Sequence, residues 1–161
     1  MLPEGTLAEI INGNLYMSPA PTPKHQRIIR KLTIAISSFV DNSNLGEVFM
    51  APCDVFLDEH SNAVQPDIIY VSAEKKIIIR EDAIHGIPDM LIEILSPGNS
   101  DHDRIRKKNL YEKFGVPEYW IVSPETKETV GFFLKDGKYT ESWRHVGKIH
   151  CVLLDNTEFE F

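Results

Sequence analysis

Hydrophobic and polar positions change period several times along the chain, and each change marks an element. Residues 7–19, "LAEIINGNLYMSP", alternate on both sides of an Asn-Gly pair and predict a strand, a tight turn and a second strand. "SPAPTPKH" then breaks the extended pattern, with Thr22 as the expected N-cap and Pro23 at the first helical position. Ile28, Ile29, Leu32, Ala35, Ile36, Phe39 and Val40 follow at helical spacing and predict a helix down to about Asp41. Strands are expected from about Gly46 to Leu57 and from Val64 to Ser72, joined through "DEHSN". Residues 74–87, "EKKIIIREDAIHGI", read as a loop or short helix.

From Pro88 to Leu95 the period disappears. Met90, Leu91, Ile92, Ile94 and Leu95 fall on both faces of any strand they form, the pattern of a central strand covered on both sides. A second helix is expected from an N-cap at Ser100, with Asp101 and Asp103 in its first turn, to Phe114, where Gly115 and Pro117 stop it. "EYWIVSP" predicts another strand, and "TVGFFLKDGKYTES" a hairpin turning on "KDGK". The order of elements predicts a mixed α/β sheet with an antiparallel part, in one domain over residues 1–161 without repeats or linkers.

Glu93 interrupts the central apolar strand. A buried carboxylate costs several kcal/mol unless a cation, backbone donors or a metal ion compensate it. Asp67, in "AVQPDIIYV", puts a second carboxylate at the start of another apolar strand, on the face of Ile69 and Val71. On the following helix, Lys107 shares a face with Asp103, Leu110, Tyr111 and Phe114. The last three form the helix's main apolar stripe and must face the sheet, so Lys107 points inward. Lys108 lies ~100° round the helix, towards solvent. A plain Glu93–Lys107 salt bridge would explain two of these residues and leave Asp67 unexplained.

Composition narrows the field. The chain carries 17 Lys and Arg against 24 Asp and Glu, a net charge of −7, which argues against a generic binder of polyanions. Its basic residues nonetheless cluster at 24–31, at 75–80 and in "RIRKK" at 104–108. Two cysteines, Cys53 and Cys151, make neither a disulfide framework nor a zinc spacing and are expected as free thiols near strands. No apolar run is long enough to span a membrane, and the N-terminus lacks the pattern of a signal peptide, so a cytoplasmic location is expected. There is no G-x-S-x-G, and neither cysteine has a histidine pattern beside it, so a serine or cysteine hydrolase finds no support.

Two carboxylates and a lysine at a strand end suit metal-assisted phosphodiester hydrolysis. Hard oxygen ligands hold magnesium, which acidifies a bound water and neutralises charge, while the lysine orients the nucleophile or contacts the phosphate.

"NGNLYMSPAPTPKHQRI", "QPDIIYV" and "IPDMLIEILSPGNSDHDRIRKKNLYEKFGVPEYWIVSP" together resemble the bacterial Uma-two family of candidate restriction endonucleases, within the PD-(D/E)xK nuclease superfamily. The most specific part is the E-x-L-S-P turn followed by D-x-x-x-K-x-x-x-Y and G-V-x-E-Y-W. The resemblance implies a restriction-endonuclease-like core of helix, three strands, helix and strand, with N-terminal and C-terminal hairpins. It implies a Mg-dependent endodeoxyribonuclease, with Mn as an alternative metal and DNA as substrate. Asp67 becomes the superfamily's strand aspartate and Glu93 its second acidic residue, with the Ile94 carbonyl facing the same metal. Two residues after Glu93 stands Leu95 instead of lysine, and Lys107 takes that role from the following helix.

Glu9 and His25 occupy further family positions, where an acid could approach the metal and a histidine a phosphate. Their structural alternatives are an exposed hairpin charge and a helix-terminal polar residue. Asp103 and Tyr111 complete the candidate site, Tyr111 as a core residue with a polar tip near it. Glu118, Tyr119 and Trp120 are expected to hold their strand in place. A competing reading is a catalytically silent module of the same fold that binds nucleic acid or a protein partner. The acidic charge predicts weak DNA affinity without a partner or a homodimer.

Overall fold

The structure, a computed structural model, describes residues 6–97 and 100–161, with the backbone alone at 100–103. The expected Ser100 cap and the acidic residues Asp101 and Asp103 therefore lie outside the described side chains. Strands β1 (Ala8–Ile11) and β2 (Asn14–Met17) form the predicted hairpin, with Asn12 and Gly13 both at positive φ, 50° and 77°, as a type I′ turn demands. Helix α1 (Pro23–Asn42) begins where Thr22 Oγ1 accepts a hydrogen bond from His25 N–H.

The main sheet is built from β3 (Gly46–Met50), β6 (Ile68–Ser72), β8 (Met90–Ile94), β9 (Glu118–Val122), β10 (Glu128–Lys135) and β11 (Lys138–Val146), in the order β11-β10-β9-β8-β6-β3. Only β8 and β9 run parallel; helix α2 (Ser100–Phe114) makes the crossover between them. A second sheet joins β1 and β2 to β4 (Val55–Phe56), β5 (Ala63–Val64) and β7 (Ile84–His85). A C-terminal pair, β12 (Lys148–Cys151) and β13 (Thr157–Glu160), closes the chain.

The main sheet has apolar layers on both faces, as β8 predicts. On one side Ile28, Leu32, Ile36 and Val40 of α1 pack on Ile68, Ile92 and Trp120, with Ile149 and Phe159 of the C-terminal pair. On the other, Leu110 and Tyr111 of α2 pack on Ile69, Leu91, Tyr119 and Ile121, together with Ile11 and Val64 of the second sheet. Successive side chains alternate across a strand, so Glu93 follows Leu91 onto the α2 side. All five residues of β8 are buried.

Three segments depart from the expected boundaries. Residues 46–57 and 64–72 each divide between the two sheets, at Ala51-Pro52 and at Gln65-Pro66-Asp67. Proline has no N–H to donate to a ladder, so each strand ends there and its continuation pairs elsewhere. Within 74–87 the loop or helix is a 3₁₀ turn at Ala73–Ile78, followed by β7, a strand of two residues and too short to show a period. Asp67 consequently sits in the crossing between sheets, immediately before β6. Among the described residues no helix is long and apolar enough to cross a membrane.

Candidate active site

Helix α2 ends at Gly115, φ 78°, so its register over β8 is fixed from the C-terminal side. Lys107 and Tyr111, one turn apart, both project onto the sheet and both reach Glu93. Lys107 Nζ lies 3.0 Å from Glu93 Oε1, and Tyr111 donates its hydroxyl to the same oxygen at 2.7 Å. Glu9 arrives from β1, with Oε1 also 3.0 Å from Lys107 Nζ and accepting the backbone N–H of Gln65 at 2.8 Å. The hairpin thus brings Glu9 to the site because Glu9 and Ile11 alternate inward while Ile10 faces out. Glu9 is 4% exposed, which corrects the exposed-charge alternative.

Asp67 is fastened to the same strand end. Its Oδ2 accepts the N–H of Ile94 at 2.7 Å, which ties the start of β6 to the residue after Glu93. His25, in the first turn of α1, donates from Nε2 to the Ile94 carbonyl at 2.9 Å and lies 3.3 Å from Asp67 Oδ2. Its Nδ1 is buried with no partner among the described residues. His25 is therefore more than a helix-terminal polar residue, since it fastens the helix start to the Asp67–Ile94 junction.

Charge is in excess here. Three carboxylates, Glu9, Asp67 and Glu93, converge on one ammonium and one imidazole. Burial pushes the Glu93 carboxyl up to about 8; the charge of Lys107 opposes this, Glu9 and Asp67 add to it, and the Tyr111 hydrogen bond opposes it. Burial, then the charges of Glu93 and Glu9, hold the Tyr111 phenol well above its ordinary range, so it stays a donor. For His25, burial disfavours the imidazolium, but the hydrogen bond and charge of Asp67 outweigh it and its pKa is raised.

One cleft of about 300 Å³ opens between α1, the start of α2, the Ser18–Pro21 segment and the crossings at Ala51-Pro52 and Gln65. Asp67, Glu93, Lys107, His25 and Ile94 line it, and Tyr111 sits behind Glu93 with no exposure. Asp103 lies outside the described side chains. Lys108 leans on the ring of Phe132, 4.9 Å from its centroid, instead of standing free towards solvent. Arg104, the first residue of the basic run 104–108, also lines the cleft, as does Gln65, which the sequence does not single out. Gln65 precedes Pro66 and Asp67 and carries no local signal; its backbone N–H matters only because Glu9 comes from another element. Glu118 has the structural role expected of it, accepting from Trp120 Nε1 at 2.8 Å and from the N–H groups of Val152 and Leu153.

Carboxylate and carbonyl oxygens are the donor types that a hard divalent cation takes. Oδ2 of Asp67 and Oε1 of Glu93 are held by the protein, while Oδ1 and Oε2 have no hydrogen-bond partner among the described residues. No group of three or more His, Cys, Asp or Glu side chains among the described residues could hold a metal ion by itself. Two carboxylate oxygens and a carbonyl would leave room for waters and a phosphate oxygen, the coordination magnesium prefers.

Comparison with known proteins bears on the family and the fold. The family model Uma2, described as "Putative restriction endonuclease", matches residues 2–146. A crystal structure described as a putative nuclease belonging to DUF820, from Anabaena variabilis ATCC 29413, aligns with a TM-score of 0.74 at 18% identity, covering 95% of this chain and 86% of that one. At that identity the likeness is one of fold, and the fold is restriction-endonuclease-like. No curated protein matches the chain.

Proposed function

The chain belongs to the Uma2 family, whose model spans residues 2–146, and from that premise we propose that it is a metal-dependent endonuclease hydrolysing DNA phosphodiester bonds. The observation that carries this reading is the convergence of Asp67, Glu93 and Lys107, from three separate elements, in one cleft. A fold needs no such convergence, because Glu118 satisfies its own buried carboxylate with an indole and two backbone N–H groups.

Asp67 and Glu93 would hold magnesium, or manganese in its place, through the oxygens their hydrogen bonds leave over, with the Ile94 carbonyl beside them. When bound, the metal supplies positive charge at the phosphate and acidifies water. Lys107 and Tyr111 clamp one oxygen of Glu93 and so fix the direction of the other. Lys107, bonded to two carboxylates, serves as the positive contact for the phosphate and not as a proton acceptor. His25 keeps the Ile94 carbonyl and Asp67 in register. Binding to DNA is expected to be weak for a chain of net charge −7, and a homodimer would double its phosphate contacts.

One observation favours the silent-module reading. The ammonium of Lys107 is shared between Glu9 and Glu93, and the Ile94 carbonyl is already bonded to His25, so the groups satisfy one another without substrate. Incubation of plasmid and oligonucleotide DNA with magnesium or manganese decides between them. Nicking that chelator and Asp67→Asn both abolish supports the nuclease; intact DNA under all conditions supports the silent module.

A further inference from the structure

The nuclease reading leaves the form of the substrate open, and the walls of the cleft bear on it. The reacting groups lie at the floor: Glu93 is 9% exposed and Lys107 6%. Above them the lining is mostly apolar, with Leu7, Pro19, Pro21, Pro52 and Leu95. At about 300 Å³ the space is at the small end of cavities that enclose an organic ligand. A row of phosphates needs cations, and a duplex carries one charge for each ~1.7 Å of its axis. Among the described residues only Lys107 and Arg104 bring a permanent positive charge to the lining. Of the neighbouring cations, Lys24 pairs with Glu125 at 2.6 Å, Arg106 lies over the ring of Tyr16 at 4.1 Å and Lys108 over Phe132, while Arg27, Arg30 and Lys31 of α1 are exposed but do not line the cleft.

Resting on the nuclease reading, we infer that the cleft takes a single unstacked nucleotide, and that the substrate is single-stranded DNA. A duplex keeps its bases stacked inward and offers the protein only a charged sugar–phosphate ridge. Such a ridge has little apolar surface to cover proline and leucine walls, and it cannot reach a buried floor without unstacking. A single strand can splay one nucleotide, laying base and sugar on the apolar walls while its phosphate meets Asp67, Glu93 and Lys107. The small number of cations in the cleft lining matters less for this substrate, because apolar contact supplies part of the affinity.

The test uses two readouts on the whole protein with one fluorescent sequence, single-stranded or annealed. Anisotropy in EDTA measures binding without turnover, with a deoxynucleoside monophosphate as competitor. Single-turnover cleavage is followed in magnesium or manganese. The expected result is single-strand binding and cleavage about tenfold or more above the duplex, with binding displaced by the monophosphate. Equal or better binding and cleavage of the duplex overturns the inference and leaves the nuclease standing. Single-strand binding that the monophosphate displaces, with no cleavage of either form, leaves the nucleotide cleft and sinks the nuclease. Binding of neither form, or binding that the monophosphate does not displace, overturns the inference.

Discussion

Lys107 and Glu93, fourteen residues apart in sequence, form a buried ion pair, Nζ to Oε1 at 3.0 Å, beneath helix α2. Glu9 adds a second carboxylate to the same ammonium. Removing one partner of a buried pair leaves the other charge uncompensated, at a cost of about 3–5 kcal/mol. Lys107→Ala should therefore lower the melting temperature by on the order of 10 °C for a domain of this size. Adding Glu9→Gln should restore part of the loss, because it removes one stranded carboxylate. A double-mutant cycle by thermal unfolding reads the coupling, and additivity of the two changes would refute it.

Titration of Glu93 sets a pH dependence whose sign is unusual for a carboxylate. Its folded pKa is raised, to about 8, chiefly by burial, above an ordinary 4.5. Between these values the folded state holds the proton more tightly than the unfolded one, so stability falls as pH rises. The contribution is fully present below the unfolded value and is lost as pH passes about 8. Denaturation followed from pH 5 to 9 should show that decline in the wild type and a flatter profile in Glu93→Gln. A wild-type profile as flat as that of Glu93→Gln over the same window would show that Lys107 and Tyr111 hold the carboxylate charged.

Much of the site is legible in the sequence because its signals are local. An acid inside an apolar strand and a lysine on the apolar stripe of the next helix are both read from spacing alone, and both hold. The hairpin, the α1 cap and the Gly115 stop are likewise short-range patterns. What escapes is non-local. Glu9 stands in an alternating hairpin that looks half-exposed, and only the pairing of β1 with β5 turns its carboxylate inward. The split of residues 46–57 and 64–72 between two sheets depends on which neighbours accept each strand after Pro52 and Pro66. Helical spacing alone turns Lys108 towards solvent, because Phe132, its ring partner, comes from a strand 24 residues further on.

Tyr111 isolates the contribution of one hydrogen bond. Its hydroxyl donates to Glu93 Oε1 at 2.7 Å in a fully buried setting. Tyr111→Phe keeps the ring packed on Tyr119, 5.0 Å between centroids, and deletes only the donor. Above pH about 8, where Glu93 is ionised, a hydrogen bond to the charged group is worth about 1.5–3 kcal/mol, so urea unfolding at pH 9 should show a loss of that order with an unchanged m value. No loss at pH 9 would mean that the Tyr111 hydroxyl does not hold the Glu93 carboxylate.

Metal addition probes the oxygens that the hydrogen bonds leave over. A cation bound between Asp67 and Glu93 relieves the repulsion among three carboxylates and binds the folded state alone, so it should raise the melting temperature. Millimolar magnesium should do so in the wild type and in Glu118→Gln, whose carboxylate is elsewhere, but not in Asp67→Asn or Glu93→Gln. Differential scanning fluorimetry with and without chelator is sufficient. An equal gain in all four proteins would mean that magnesium binds outside the cleft.

The two adjacent lysines give the sharpest separation of roles. Lys107 is 6% exposed and lies on the cleft floor between Glu9 and Glu93, whereas Lys108 rests on Phe132 outside it. Lys107→Met keeps most of the side-chain length and removes the charge beside the reacting phosphate. An oriented electrostatic contact of that kind is worth roughly 10²–10³ in rate. Lys108→Met removes a cation that can at most touch the nucleic-acid backbone, so it should weaken binding modestly and less so at high salt. Single-turnover cleavage at saturating enzyme removes the binding difference and leaves the chemical one. Circular dichroism on both variants guards against a folding defect in Lys107→Met, which the buried carboxylates make a real cost. With fold retained, Lys107→Met should be slow and Lys108→Met close to wild type. The reverse order would move the positive contact from the floor of the cleft to its flank, and the displaced-lysine assignment would go with it.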